Sequence, residues 1–321
     1  MLRPLRLVFS PEDYPNLLVG LDSADDAAVW KLDETRALVF TTDFFTPVVD
    51  DPYDYGAIAA ANSLSDVYAM GGAPFLALNI AAFPPDLPVE ISMEIMRGAA
   101  EKAREAGVVI AGGHTIQDKE PKFGLAVLGI LESTALLTKG ALRPGDHLFL
   151  TKPLGFGVTT TAHKRGLVSE AELAEVVGWM KKLNKAAGEL AGGCELSAAT
   201  DITGFGLLGH LSEMTEASGC GAQLRMSAVP LISCALKYAR AYTFPGGASD
   251  NRLFVEHLVS FADEIPEEER MLLFDPQTSG GLLIAVPSEK LEIFQQSAKQ
   301  SGTPVWEIGS AEAGTGIRVL G

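Results

Sequence analysis

The chain has 321 residues, of which 47% are hydrophobic and 21% are charged, and its formal net charge is −16. This size and balance predict a globular protein with a large core, organised as two domains or one large one. So negative a chain lacks the positive charge that a phosphate backbone requires, which argues against a nucleic-acid-binding protein.

The cysteines and the apolar runs indicate the compartment. Cys194, Cys220 and Cys234 have no CxxC spacing, which is typical of buried thiols in a reducing cytosol and not of a disulfide framework or a zinc site. No apolar run reaches the roughly 18 residues of a membrane helix, and the first residues lack the apolar core of a signal peptide. We therefore predict a cytoplasmic protein that does not span a membrane.

Strands and helices alternate along the first half of the chain. AAVWKL and ALVFTTDF predict strands. DYGAIAAANSLSDVYAMGG predicts a helix that Asp54 caps and that Gly71 and Gly72 end. APFLALNIAAF predicts a strand, PVEISMEIMRGAAEKAREAG an amphipathic helix ending at Gly107, VVIAGGHT a strand that enters a glycine turn, and KFGLAVLGILE a further strand.

A turn signal, RPGD at residues 143–146, introduces the second half. We predict a division near residue 140, giving an N-terminal domain of residues 1–140 and a C-terminal α/β domain of residues 141–321. The second half is predicted to contain a strand in HLFLTK, helices around 156–166 and 170–191, a helix in GFGLLGHLSEMTEAS and a strand in AQLRM. An irregular region around 243–252, a strand in SGGLLIAV, a helix in SEKLEIFQQSAKQSG, and strands in TPVWEIG and GIRVL complete it.

Carboxylates are unusually dense between Asp22 and Asp66, a segment that contains ten acidic residues and only two basic ones. Asp26 precedes a predicted strand, Asp43 ends one, and Asp66 lies in the predicted helix, so three elements can converge. Mg²⁺ is commonly held by one or two carboxylates together with substrate phosphates. The pattern therefore predicts a magnesium and nucleotide site. A solvated acidic surface is the alternative, and we favour it for the loop residues Asp50, Asp51 and Asp54.

Three glycine-rich stretches add candidate ligand contacts. In AGGHT, at residues 111–115, paired glycines allow close backbone approach to a phosphate, and His114 could contact phosphate or base, although a plain turn is the alternative. TDITGFGLLGH places Asp201 before a helix start, either as a simple cap or at an anion site. DPQTSGGLL predicts only a tight turn, and the absence of GxxxxGK[ST] excludes a P-loop.

Six stretches, in order, resemble the selenophosphate synthetase (selenide, water dikinase) family. One of them would be a weak signal, but six in family order are specific. They are DDAAVW, TTDFFTPVVDDPYDYGAIAAANSLSDVYAMGGAP, AGGHTIQDKEPKFGLAVLG, LTKPLGFGV, TDITGFGLLGHLSEM and DPQTSGGLL.

The resemblance implies an α+β or α/β two-domain fold of the aminoimidazole ribotide synthetase-like ATP-binding superfamily, which thiamine-phosphate kinase and a hydrogenase maturation factor share. It implies a homodimer whose N-terminal domains form a β-barrel across the interface. It also implies an ATP-dependent phosphotransferase that converts ATP, selenide and water into selenophosphate, AMP and orthophosphate.

The resemblance further implies the site residues. Magnesium is expected at Asp26, Asp66 and Asp201. ATP is expected to contact a set of residues in the first half of the chain, and part of strand VVIAGGHT is expected to reach the nucleotide of the partner subunit. The first set is Ser23, Ala24, Asp25, Asp43 and Asp66, and the second is Gly113, His114 and Thr115.

Family members carry a cysteine or selenocysteine followed by Gly-Cys-Lys in an N-terminal segment that closes over the active site. The first cysteine of this chain is Cys194, so no catalytic residue is assigned. We expect one of three explanations: a truncation, a selenocysteine codon read as a stop so that a downstream start was assigned, or a natural short variant. We expect Mg-ATP binding with an impaired full reaction. The alternatives are a non-catalytic Mg-ATP-binding dimer partner and another ATP-dependent enzyme of the superfamily.

Overall fold

The computed structural model describes residues 5, 8–9, 11–22, 25–132 and 136–321. The strands within this part of the chain form two separate mixed sheets, of six and seven strands. The first sheet uses strands from the first half of the chain and the second uses strands from the second half. Among the described residues, no helix is both long enough and apolar enough to cross a bilayer.

The first sheet has the strand order β1-β2-β3-β6-β4-β5. β5 pairs in parallel with β4, and the other neighbours are antiparallel. Two helices cover one face, α1 (Pro52–Ala69) and α2 (Val89–Ala106). The strands are β1 (Leu17–Val19), β2 (Ala28–Lys31), β3 (Arg36–Phe45), β4 (Ala73–Phe83), β5 (Val109–Gln117) and β6 (Lys122–Glu132).

Helix α1 is the buried centre of the molecule. Asp51 caps it by accepting a hydrogen bond from the backbone N–H of Asp54, so the prediction that Asp54 is the cap was wrong by one turn. Its small residues allow close packing on α2: a Cβ added at Gly56 would lie 1.8 Å from the carbonyl oxygen of Ile95. The two helix backbones are therefore in direct contact, which positions the side chains at the other end of α1.

Strand β5 does not turn at its glycines, contrary to the prediction. It continues through Gly112 and Gly113 as an edge strand, and its register against β4 shifts between Ala77 and Asn79. A Cβ added at Gly113 would lie 2.3 Å from the carbonyl oxygen of Asn79. The glycine is needed because of this close approach to β4, a non-local cause that a local turn pattern does not reveal.

The second sheet has the strand order β10-β13-β9-β12-β7-β11-β8. Its strands are β7 (His147–Leu150), β8 (Ala198–Asp201), β9 (Gly221–Arg225), β10 (Val259–Phe261), β11 (Leu282–Val286), β12 (Trp306–Glu312) and β13 (Gly316–Leu320). The helices of this half are α3 (Phe156–Lys164), α4 (Glu170–Lys181), α5 (Lys185–Gly193), α6 (Gly206–Ser218), α7 (Ala235–Arg240), α8 (Gly246–Val255), α9 (Glu267–Leu272) and α10 (Leu291–Ser301).

Two predictions for this half were wrong. The single helix around 170–191 is two helices, because the chain breaks at Asn184, whose side-chain N–H₂ donates to Ser65 Oγ and to the Gly280 carbonyl, both at 2.8 Å. The region around 243–252 is not wholly irregular, since it includes most of α8. There Asn251 donates to two backbone carbonyls at 2.9 Å, a tertiary contact that outweighs the low helix propensity of two leading glycines.

Candidate functional site

Asp43 and Asn62 form the first part of the site, where the two halves of the chain meet. Asn62, on α1, is 4% exposed. Its N–H₂ group donates to the carboxylate of Asp43, and its Oδ1 accepts the backbone N–H of Ser279 at 2.7 Å. Burial raises the pKa of Asp43 above its ordinary value, although the bonds from Asn62 and from the Phe44 N–H oppose this. One amide thus links the first sheet to the DPQTSGGLL loop.

The DPQTSGGLL loop includes a residue with an unfavourable backbone conformation. Ser279 has φ +54°, in the left-handed region that non-glycine residues seldom occupy. The buried ammonium of Lys152 donates to the Ser279 carbonyl at 2.7 Å and to the Lys182 carbonyl at 2.6 Å. Burial lowers the pKa of Lys152 to about 7. Because surrounding groups fix both its N–H and its carbonyl, Ser279 keeps this geometry.

Asp66 lies one turn beyond Asn62 on the same face of α1. It accepts a 2.5 Å hydrogen bond from Thr41 Oγ1 on β3. Its pKa is raised well above the ordinary value, first by burial and then by the negative charges of Asp201 and Asp26. The structure therefore brings a carboxylate of α1 close to carboxylates from two other parts of the chain.

Asp201 and Asp26 complete this group from opposite halves of the molecule. Asp201 ends β8 and is 2% exposed, and burial followed by the charge of Asp26 raises its pKa to about 6. Asp26 accepts the hydroxyl of Thr200 at 2.9 Å. Beside it, burial and then the Asp26 charge raise the pKa of Asp25 to about 6. Like charges gathered in a low-dielectric site shift pKa values in this direction.

One ammonium group lies against the carboxylates. Lys139 Nζ is 2.9 Å from Asp26 Oδ1 and 2.8 Å from Glu213 Oε2. Burial lowers the pKa of Lys139, but the two carboxylates raise it more, so the net pKa is above its ordinary value. Behind it, His210 Nδ1 is 3.4 Å from the same Glu213 oxygen, and His210 Nε2 accepts the Thr203 N–H at 3.2 Å. Lys139, Glu213 and His210 are not among the site residues predicted from the sequence.

The structure brings five of the ten predicted site residues together. Asp25, Asp26, Asp43, Asp66 and Asp201 line one region between the two halves, whereas Ser23 and Ala24 lie outside the described residues. Three predicted residues are elsewhere: they are exposed on edge strand β5, which is separated from β3 by β6 and β4. These are Gly113, His114 and Thr115.

The cluster of carboxylates formed by Asp26, Asp66 and Asp201 has the chemistry of a cation site. Asp26 Oδ2 and Asp201 Oδ2 are buried and have no hydrogen-bond partner within the described structure, and unsatisfied buried carboxylate oxygens are costly. No set of three or more His, Cys, Asp or Glu side chains in the described part of the chain is already spaced to hold a metal ion. Oxygen ligands and an excess of negative charge are what a hard divalent cation requires, so the donor atoms suit such a cation in their chemistry, although not yet in their spacing.

The start of α3 is closed to anions, although its sequence, PLGFG, is rich in glycine. Gln277 Oε1 accepts the N–H groups of Gly155 at 3.2 Å and Phe156 at 3.0 Å, and Asp275 accepts that of Val158 at 3.0 Å. These contacts occupy the free donors of the helix terminus. DPQTSGGLL is therefore more than the predicted tight turn, because it also caps α3.

Asp275 gives a testable pH dependence. Burial raises its pKa from 3.8 to about 7. The folded state therefore binds the proton more tightly than the unfolded state, and this stability is lost as pH rises from about 4 to about 7. Relative to wild type, Asp275→Asn should gain stability over this interval, by at most about 4 kcal/mol. Urea unfolding at pH 5 and pH 8 measures the difference, and a constant difference would contradict the assignment.

Comparison with known proteins gives two family matches. Residues 24–131 match the AIR synthase related protein, N-terminal domain, and residues 143–321 match the AIR synthase related protein, C-terminal domain. Together these matches cover most of the chain and confirm the predicted superfamily fold. The short interval between them includes Lys139.

Curated relatives and solved structures agree with these matches. The chain is 50% identical over 295 residues to the selenide, water dikinase of Carboxydothermus hydrogenoformans, covering 92% of this chain and 86% of that protein. It is 46% identical over 310 residues to the selenide, water dikinase of Myxococcus xanthus, covering 96% and 88%. A crystal structure of the hydrogenase maturation protein HypE in complex with ATP superposes with a TM-score of 0.67 at 20% identity, covering 97% and 86% of the two chains.

Proposed function

Because the chain belongs to the selenide, water dikinase family of the AIR synthase related proteins, we propose that its acidic site binds ATP with magnesium and makes selenophosphate. Membership makes it an ATP-dependent phosphotransferase. The observation that carries the site assignment is the convergence of Asp26, Asp66 and Asp201 from both halves of the chain, with two carboxylate oxygens that have no hydrogen-bond partner among the described residues.

The proposed reaction cleaves both phosphoanhydride bonds of ATP. One phosphoryl group forms a bond to selenium and gives selenophosphate, and the other forms a bond to a water oxygen and gives orthophosphate, so that AMP remains. Positioning and charge stabilisation account for most of the catalysis of phosphoryl transfer. A site built mainly of fixed carboxylates and hydrogen-bond donors is suited to that task.

The chain's own residues divide this work. Asp26, Asp66 and Asp201 would hold the magnesium, which when bound neutralises the phosphate charge. Thr41 and Thr200 hold two of these carboxylates in place through their hydroxyl groups. Asp25 and Asp43 are proposed to contact the nucleotide, as are Ser23 and Ala24. The link from Asp43 through Asn62 to Ser279 keeps the two sides of the site in register.

We also propose a homodimer. The face of the first sheet that is turned away from α1 exposes large apolar side chains from four strands. Single exposed apolar residues are common on protein surfaces, but several on one face indicate an interaction surface. They are Trp30, Phe40, Phe44, Leu78 and Ile116, with exposed fractions of 41–53%. Joining two such faces into a barrel would bury them and would bring Gly113, His114 and Thr115 of one subunit towards the nucleotide of the other.

Phe40→Glu is expected to convert the dimer to a monomer, because it places a charge in the apolar face. Sedimentation equilibrium at micromolar protein measures the mass. Leu253→Glu is the matched control, since Leu253 is 71% exposed on α8 and not on the first sheet. A monomeric wild type, or a Phe40→Glu variant that remains dimeric, would contradict the proposed interface.

Two further proposals concern the whole chain. We propose the division into domains 1–140 and 141–321, which the two family matches and the two sheets support. We propose a cytoplasmic location, which three buried free cysteines support because a reducing compartment preserves them. Expression of a fluorescent fusion in cells tests the second proposal.

The nucleotide products test the function. The chain is incubated anaerobically with ATP and Mg²⁺, with and without selenide, and the products are separated by anion exchange. AMP formed only with selenide supports the proposal. ADP formed without selenide would indicate another phosphotransferase of the superfamily, and tight ATP binding without turnover would indicate a non-catalytic dimer partner.

A further inference from the structure

Lys139 lies in a 3-10 turn, Lys139–Ala141, in the interval between the two family matches. It is 5% exposed. Its backbone N–H is 3.3 Å from Asp25 Oδ2, and its carbonyl accepts the hydroxyl of Ser218 at 3.1 Å. The turn is therefore fixed to both sides of the site, and the lysine stem extends from a defined position.

The ammonium of Lys139 is shared between two carboxylates. It lies 2.9 Å from Asp26 Oδ1 and 2.8 Å from Glu213 Oε2. Asp26 belongs to the proposed magnesium site, whereas Glu213 lies on α6, where its Oε2 is 3.4 Å from His210 Nδ1. The two acceptors are nearly equidistant, so the lysine can release Asp26 and still remain paired with Glu213.

We propose that Lys139 is a built-in positioning cation that holds Asp26 when no divalent ion is bound, competes with the ion for that carboxylate, and stays with Glu213 once the ion binds. The inference rests on the proposed function, because it assigns Asp26 to magnesium. It explains how several carboxylates can remain buried together: an internal ammonium neutralises one of them until the substrate complex brings its own cations.

The competition predicts opposite effects for two substitutions. Lys139→Met removes a positive charge from beside the site, so a divalent ion should bind more tightly without nucleotide, by about tenfold or more. Glu213→Gln removes the second acceptor and leaves the ammonium to Asp26, so the same ion should bind more weakly, by about threefold or more. A purely structural role for the pair would weaken binding in both variants.

The test measures Mn²⁺ binding without nucleotide by the electron paramagnetic resonance signal of the free ion, at one fixed pH. Lys139→Arg keeps the charge and should bind within about threefold of wild type. Lys299→Met, on the exposed side of α10, controls for loss of a distant charge. Urea unfolding verifies that each variant is folded. If Lys139→Met does not fold, Lys139→Gln, which also removes the charge and should also bind the ion more tightly, replaces it.

Opposite shifts in Lys139→Met and Glu213→Gln support the inference. Unchanged affinity, or a shift in the same direction in both variants, overturns it while leaving the magnesium site in place. If wild type and all variants fail to bind Mn²⁺ even with ATP, the proposed metal site is wrong, and this inference is wrong with it.

Discussion

Asp66→Asn is expected to lower the rate of selenide-dependent ATP cleavage by about a thousandfold, equivalent to about 4 kcal/mol of transition-state stabilisation, and to make the metal-free protein more stable. The rate falls because asparagine is a neutral and weaker ligand for magnesium. Its carbonyl oxygen can still accept the hydroxyl of Thr41, which bonds Asp66 at 2.5 Å, so the fold should persist.

The gain in stability follows from the repulsion in the site. Burial and the charges of Asp201 and Asp26 raise the pKa of Asp66. A carboxyl group whose folded pKa is raised gives stability that is present below its unfolded pKa and is lost as pH rises through its folded pKa. Asp66→Asn removes that loss, so its thermal midpoint should exceed that of wild type at pH 8 and approach it near pH 4.

Both effects are measured on one preparation of Asp66→Asn. Initial rates with ATP, Mg²⁺ and selenide give the loss of activity, and thermal unfolding in the presence of a chelator gives the change in stability of the metal-free protein. Asp86→Asn is the control, because Asp86 is an exposed carboxylate in the loop before α2, and both quantities should match wild type. Full magnesium-dependent activity in Asp66→Asn would exclude Asp66 as a ligand.

Asn62→Leu is expected to lower the free energy of unfolding by about 2–4 kcal/mol and the affinity for Mg-ATP by about tenfold or more. Leucine is similar in size but cannot replace either hydrogen bond. The Asp43 carboxylate would lose its amide donor, and the buried N–H of Ser279 would lose its acceptor. Asp43 would then no longer be held in the geometry that we propose for the nucleotide.

Asn184→Leu is the control that separates the loss of stability at the junction of the two halves from the loss of Mg-ATP affinity. Asn184 also joins the two halves of the chain, at Ser65 and Gly280, and is 3% exposed, but it has no contact with Asp43 among the described hydrogen bonds. We expect a similar loss of stability in urea unfolding with a smaller loss of ATP affinity in calorimetric titration. Equal losses of affinity in both variants would show that Asn62 acts only through the domain junction.

Local patterns were sufficient for much of the fold. The strand in ALVFTTDF followed from residue type, and it has one strongly buried face. The helix around Asn62 and Asp66 followed from its end signal at Gly71 and Gly72, although it is buried on nearly all sides. The convergence of Asp26, Asp43 and Asp66 also followed, since each carboxylate lies near the end of a strand or on one helix face. Here local preference and tertiary packing agree.

The features that the sequence patterns predicted wrongly or missed depend on contacts between distant parts of the chain. The glycines of β5 indicated a turn, but the strand continues through them, and Gly113 permits the close approach to Asn79 across a parallel pairing. Lys139 and Glu213 are 74 positions apart, and nothing in the sequence around either residue indicates that they pair. The break at Asn184 likewise depends on Ser65 and Gly280. Such contacts exist only after the two halves have packed.

Phosphorus NMR of the chain with ATP, Mg²⁺ and selenide under anaerobic, reducing conditions is the most direct test of selenophosphate synthesis at this site. The proposed function predicts a resonance with phosphorus–selenium coupling that grows together with those of AMP and orthophosphate, and that Asp66→Asn does not produce. Consumption of ATP without any phosphorus–selenium signal in the wild-type protein would contradict it.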